Sequence, residues 1–102
     1  MKEKPKDFRK RAKQYYFRVH GEMTEDKYQA PCQWCGETVR DGEADTMHKR
    51  HSGMGSPARY NALENVIVGH SYCHRMIVHA TRENMERLKN STANVINGEI
   101  VK

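Results

Sequence analysis

Cys32-Gln-Trp-Cys35 and His70-Ser-Tyr-Cys73-His74 bracket a central segment that carries His48. Each cluster offers two soft or borderline ligands separated by two residues, the spacing structural zinc sites use, so Cys32, Cys35, His70 and Cys73 can complete a Cys3His tetrahedron around Zn²⁺. Such a site closes a loop over residues 36–69, 34 positions in all. Metal binding must offset the entropy of that closure, so folding is expected to depend on zinc. A rival pairing, Cys32-x2-Cys35-x12-His48-x2-His51, nearly matches a two-Cys, two-His finger. It falls one residue short between the histidines, puts Asp41-Gly42 where a recognition helix should start, and leaves His70 and Cys73 without a role.

The chain has 102 residues, 36% of them hydrophobic, enough for one domain but not for a generous core. Three cysteines, an odd number, fit a metal staple better than a disulfide framework and point to a reducing, cytoplasmic setting. No apolar run approaches membrane-spanning length, and Met1 to Lys13 are charged where a signal peptide needs apolar residues. The formal charge is +5; residues 1–18 hold eight Lys or Arg against Glu3 and Asp7, a net +6, which leaves −1 for the remainder. A basic arm on a near-neutral body suits a polyanion, although a solvated terminus has the same composition.

Phe8, Ala12, Tyr15, Tyr16 and Val19 recur at helical spacing, predicting an amphipathic helix over residues 7–20 whose aromatic residues pack and whose cations face out. A polar linker, Thr24 to Gln29, leads to Pro31 and the first ligand pair. Asp41-Gly42 predicts a hairpin joining strands near 37–40 and 43–48. A long loop, Lys49 to Glu64, precedes a short buried strand from Asn65 to Val68. Ser71 is expected to cap a helix through Val78, and Thr81 one reaching Lys89; Asn97-Gly98 predicts a closing hairpin.

With the outer pairs assigned to zinc, Asp45-Thr-Met-His48-Lys-Arg-His-Ser-Gly-Met-Gly55 followed by Glu64-Asn65-Val-Ile-Val-Gly-His70-Ser-Tyr-Cys73-His74 resembles the HNH nucleases, also called His-Me finger or ββα-metal. The resemblance covers residues 32–79 and implies an α+β fold: a zinc-stapled ββα-metal core (31–80), preceded by a basic N-terminal helix and linker (1–30) and followed by a C-terminal helix and short hairpin (81–102), in one compact domain. It implies that His48 is the general base, that Asn65 orients it, and that His74 binds a catalytic divalent ion, Mg²⁺, Mn²⁺ or another. A neutral imidazole can accept a proton from water near neutral pH, which makes the first role chemically sensible.

The family usually has Asp or His immediately before the base, where this chain has Met47, a poor ligand for Mg²⁺. Asp45, two residues earlier and on the same strand face, is the carboxylate expected to replace it. A further family histidine lies four residues beyond the one matching His74; here His79 is five away, about 140° out of line on an α-helix, and joins only if the helix is distorted. Lys10, Arg11, Lys49, Arg50 and Arg59 are the expected phosphate contacts, with Arg75 also beside the site. The expected function is metal-dependent hydrolysis of DNA phosphodiesters with little sequence preference, by a monomer or dimer. The resemblance places such domains in phages, in genome replication or packaging. From a different class, a non-catalytic zinc-binding module that holds nucleic acid or a replication or transcription partner would account for Met47.

Overall fold

The computed structural model describes residues 4–49 and 62–101. Arg50, His51, Arg59 and most of the long loop lie outside those residues. The order is α1 (Pro5–His20), β1 (Glu22–Thr24), β2 (Lys27–Pro31), β3 (Thr38–Arg40), β4 (Ala44–His48), β5 (Val66–His70), a helical segment over 71–80, and α2 (Arg82–Asn90). Two antiparallel sheets, β1-β2-β3 and β4-β5, make this a small α+β fold. Among the described residues no helix is long and apolar enough to cross a membrane.

Proline near its first turn and Gly21 at its end bound α1. Phe8, Ala12 and Tyr16 are buried as their spacing predicts, and Tyr15 is packed against them. Val19 is not: it is 54% exposed, and Phe17 on the opposite side is buried instead. The cause is the segment directly after the helix. The expected polar linker is the hairpin β1–β2, turned by Glu25 at φ 56°. It returns so close to α1 that a Cβ on Gly21 would meet the Phe17 carbonyl at 2.5 Å and that of Gln29 at 2.7 Å.

The strands near 37–40 and 44–48 exist, but not as a hairpin with each other. β3 pairs with β2, with Ala30 opposite Val39, and β4 pairs with β5, with Asp45 opposite Gly69 and His48 opposite Val66. Asp41-Gly42 lies in a 3₁₀ turn, Asp41–Glu43, that passes the chain between sheets. β5 is apolar on both faces, with Val66, Ile67 and Val68 all buried, and needs cover on both. α1 supplies cover on one side, where the Thr46 hydroxyl donates to the Arg9 carbonyl at 2.8 Å.

Gln33 ties the pieces together from a fully buried position. Its amide nitrogen donates to the carbonyls of Asn94 and Glu99, both at 2.8 Å, while its Oε1 accepts from the Val68 N–H at 2.9 Å. Its backbone pairs with the Val68 carbonyl and the Val101 N–H. This explains why the expected C-terminal hairpin does not form. The carbonyls it would use are taken by Gln33, and the turn is held by side chains: Asn94 Oδ1 accepts from the Ile96 and Asn97 N–H groups, and Asn97 Oδ1 from Asn94 and Glu99. Gly98, at φ 69°, is packed on the His20 ring.

Gln33→Leu keeps the volume but removes the partner of the buried Val68 N–H and two bonds to the carbonyls of half-buried Asn94 and exposed Glu99, so urea unfolding of the zinc-loaded protein should show a loss of about 2 kcal/mol. A loss below about 0.5 kcal/mol would refute the tie.

Candidate metal centre

The knuckle is a tight turn: Gly36 N–H donates to the Cys32 carbonyl at 2.8 Å, and Gly36 itself sits at φ 83°, where side chains are strained. The second pair stands at the end of β5 and the start of the helical segment. Together, ligand atoms of Cys32, Cys35, His70 and Cys73 lie within 4.8 Å of one another, among the described residues the one group of three or more that does so. Sγ of Cys32 and Cys73 are 4.0 Å apart, and His70 Nδ1 lies 3.5 Å from Cys35 Sγ and 3.7 Å from Cys73 Sγ. Bond lengths of about 2.3 Å to sulfur and 2.0 Å to nitrogen set tetrahedral edges of about 3.5 to 3.8 Å, so the cluster is close to the size of a zinc site.

The surroundings prepare the ligands. His70 Nε2 is 3.1 Å from the Thr38 carbonyl, which fixes the ring and leaves Nδ1 to face the sulfurs. Cys32 Sγ accepts N–H bonds from Cys35 at 3.5 Å and His70 at 3.4 Å. Burial alone would raise the Cys32 thiol, but backbone donors from Cys35, His70 and Trp34 outweigh it and bring it down to about 7. Burial pushes Cys73 up to about 12, with the negative charge of Cys32 and Cys35 adding to the shift, and burial raises Cys35 as well. Three thiols this close hold more than one negative charge only with a cation among them, and the group could hold a metal such as zinc. The finger pairing is not what the fold assembles: the His48 ring lies beside Phe8, with centroids 5.8 Å apart.

A second group of polar residues lies along β4 and the helical segment. Asp45 Oδ2 is 3.3 Å from His74 Nδ1, both half-buried. His79, expected to be out of line, has its ring centroid 4.9 Å from that of His74. The helix is distorted in the required way: Cys73–Ile77 form a π-helical turn, closed by the Val78 N–H on the Cys73 carbonyl, and residues five apart then share a face. The sequence holds a signal for this turn in Cys73 and Val78. These two residues, also five apart, are both fully buried, which an α-helix would not allow on one face. Ser71 does not cap this segment; its hydroxyl donates to the Glu43 carbonyl.

Met47 is 1% exposed, packed with Cys32 against Gly69. His48 ends β4 opposite Val66, and the next rung joins the Lys49 N–H to the Asn65 carbonyl at 2.8 Å, so His48 and Asn65 occupy one end of the ribbon. Lys10 and Arg11 are exposed on α1. No family model, curated protein or solved structure matches the chain.

Two measurements test the centre. Tetrahedral Co²⁺ absorption should survive His48→Ala and be weakened by His70→Ala and by Gly69→Ala, whose Cβ would meet Cys32 Sγ at 2.7 Å. Survival of the spectrum in His70→Ala with unchanged affinity would reject the ligand set. At neutral pH, with Cys35 and Cys73 protonated and Cys32 half so, binding releases protons, and acid competes with metal. Apparent zinc affinity should therefore fall by about two to three orders of magnitude per pH unit below 7.

Proposed function

We propose that this chain is a metal-dependent HNH-type endonuclease that hydrolyses phosphodiester bonds in DNA. The observations that carry the reading are two pairwise contacts beside β4, Asp45 with His74 at 3.3 Å and the His74 ring with that of His79 at 4.9 Å, with His48 and Asn65 at the ribbon's end. The chain order strand, long connection, strand, helical segment, with a Cys3His group around it, is the order the sequence resemblance implies.

In this reading His48 takes a proton from water as the oxygen attacks phosphorus. The bond from phosphorus to the 3′ oxygen breaks, leaving a 5′-phosphate and a 3′-hydroxyl that gains its proton from solvent. Asn65 holds the imidazole's orientation. Asp45 and His74 would hold the catalytic divalent ion, which would supply Lewis-acid stabilisation of charge on the scissile phosphate and the departing oxygen. His79, beside His74, would be the further ligand that Met47, buried in the core, cannot be. A set of one carboxylate and two imidazoles suits Mn²⁺ or Ni²⁺ better than Mg²⁺. Lys10 and Arg11 on α1, together with Lys49, contact backbone phosphates; Arg50 and Arg59 are assigned the same role from sequence. The cell compartment proposed is the cytoplasm, and the partner is DNA.

The burial of Met47 favours one second reading, a non-catalytic module that keeps the zinc group and binds nucleic acid. Zinc-loaded protein incubated with supercoiled plasmid and Mg²⁺, Mn²⁺ or Ni²⁺ separates the two. Nicking should require the added ion and fall about 10²- to 10⁴-fold in a folded His48→Ala variant. His79→Ala should raise the ion concentration needed by about ten-fold or more. No nicking with any ion, with DNA binding intact, selects the module. For the basic face, deleting residues 1–18 would remove buried Phe8, Ala12, Tyr16 and Phe17, so charge must be altered singly. Lys10→Gln with Arg18→Gln should flatten the log–log salt dependence of DNA binding by about two.

A further inference from the structure

On the nuclease reading, the geometry points to Phe8 as a positioning residue for His48 and to Arg11 as the contact for a phosphate flanking the scissile one. α1 is joined to the base-bearing strand, since the Thr46 hydroxyl bonds the Arg9 carbonyl and fixes this turn of α1 against β4. Alternation along β4 puts Thr46 and His48 on the face toward α1, and Asp45 on the face toward His74. Phe8, fully buried, then lies beside the imidazole, its ring 5.8 Å from that of His48 and tilted 40° to it. The Arg11 guanidinium lies over the same phenyl ring, 5.3 Å from its centre.

These two distances share one ring, so the guanidinium is held within about 11 Å of the base, within reach of a phosphate next to the scissile one on the same strand. Arg11 therefore differs from the other α1 cations. Lys6, Lys10 and Arg18 offer charge on flexible stems, whereas Arg11 has its planar group seated on a ring whose own place is set by the core. A strand whose scissile phosphate reaches His48 brings a neighbouring phosphate to Arg11, and that contact registers the strand on the base.

Two substrates separate the roles: plasmid DNA, and bis(p-nitrophenyl) phosphate, which has no flanking phosphate. Arg11→Gln should lower plasmid nicking at saturating DNA at least ten-fold, leave the small diester's rate within two-fold, and be partly rescued by Arg11→Lys. Phe8→Leu, which keeps an apolar side chain in the core, should lower kcat at least ten-fold on both substrates with KM little changed. Plasmid nicking by Arg11→Gln within two-fold of wild type overturns the Arg11 assignment, and wild-type kcat in Phe8→Leu overturns that of Phe8. If the wild-type protein nicks nothing, the nuclease reading fails, and the His48 ring resonance decides the rest without added divalent ion. Its shift on titration with a short DNA duplex should be present in wild type and reduced in Arg11→Gln. Equal shifts in both proteins reject the inference.

Discussion

The sulfur of Cys32 is the contact on which the remaining structure depends. It accepts backbone N–H groups from its own knuckle and from His70, stands 4.0 Å from Cys73, and fills the space over Gly69 that any side chain there would need. One atom thereby joins the turn after β2, the end of β5 and the start of the helical segment. A chain of 102 residues, 36% of them hydrophobic, would gain from a metal held at the four residues, because it would tie together positions 32 and 73 across the chain between them. Gln33, the next residue, extends the same hold with hydrogen bonds to β5 and the C-terminal segment.

What could be read from sequence was local chemistry. The four ligands, the amphipathic α1, the Thr81 cap of α2 and the apolar β5 each follow from residue type and spacing, and each is present. Pairing was less legible. Asp41-Gly42 signals a turn, and a turn is there, but whether the flanking strands meet depends on what else needs an edge: β2 takes β3, and β5 takes β4. The Asn97-Gly98 hairpin failed for a related reason, since a glutamine 61 residues upstream of Asn94 in sequence satisfies its carbonyls. The hairpin β1–β2 gave little sign at all, because its first strand is wholly exposed and lacks alternation.

The π turn shows how a local irregularity can be dictated by two inward-facing demands. Cys73 must face the other ligands, and Val78 must reach the core. Five residues of α-helix would place them about 140° apart, so one would be turned out. Widening one turn satisfies both, and the Ile77 carbonyl finds a partner in the Asn84 side chain at 3.0 Å. His74 and His79 follow Cys73 and Val78 by one position each, so the adjustment that seats the sulfur and the valine also brings the two imidazoles together.

Strand β4 consequently has two occupied faces. Toward the helical segment it presents Asp45 to His74 and sinks Met47 among Cys32 and Gly69; toward α1 it presents Thr46 to Arg9 and His48 to Phe8. A methionine at 47 suits a strand that must also serve as core, since its flexible side chain fills the space over Gly69 beside Cys32. Asp45, two residues back on the strand, faces His74, and His79, five residues along the helical segment, lies beside the same imidazole. Both placements follow from the alternation of two in β4 and the five-residue repeat of the π turn.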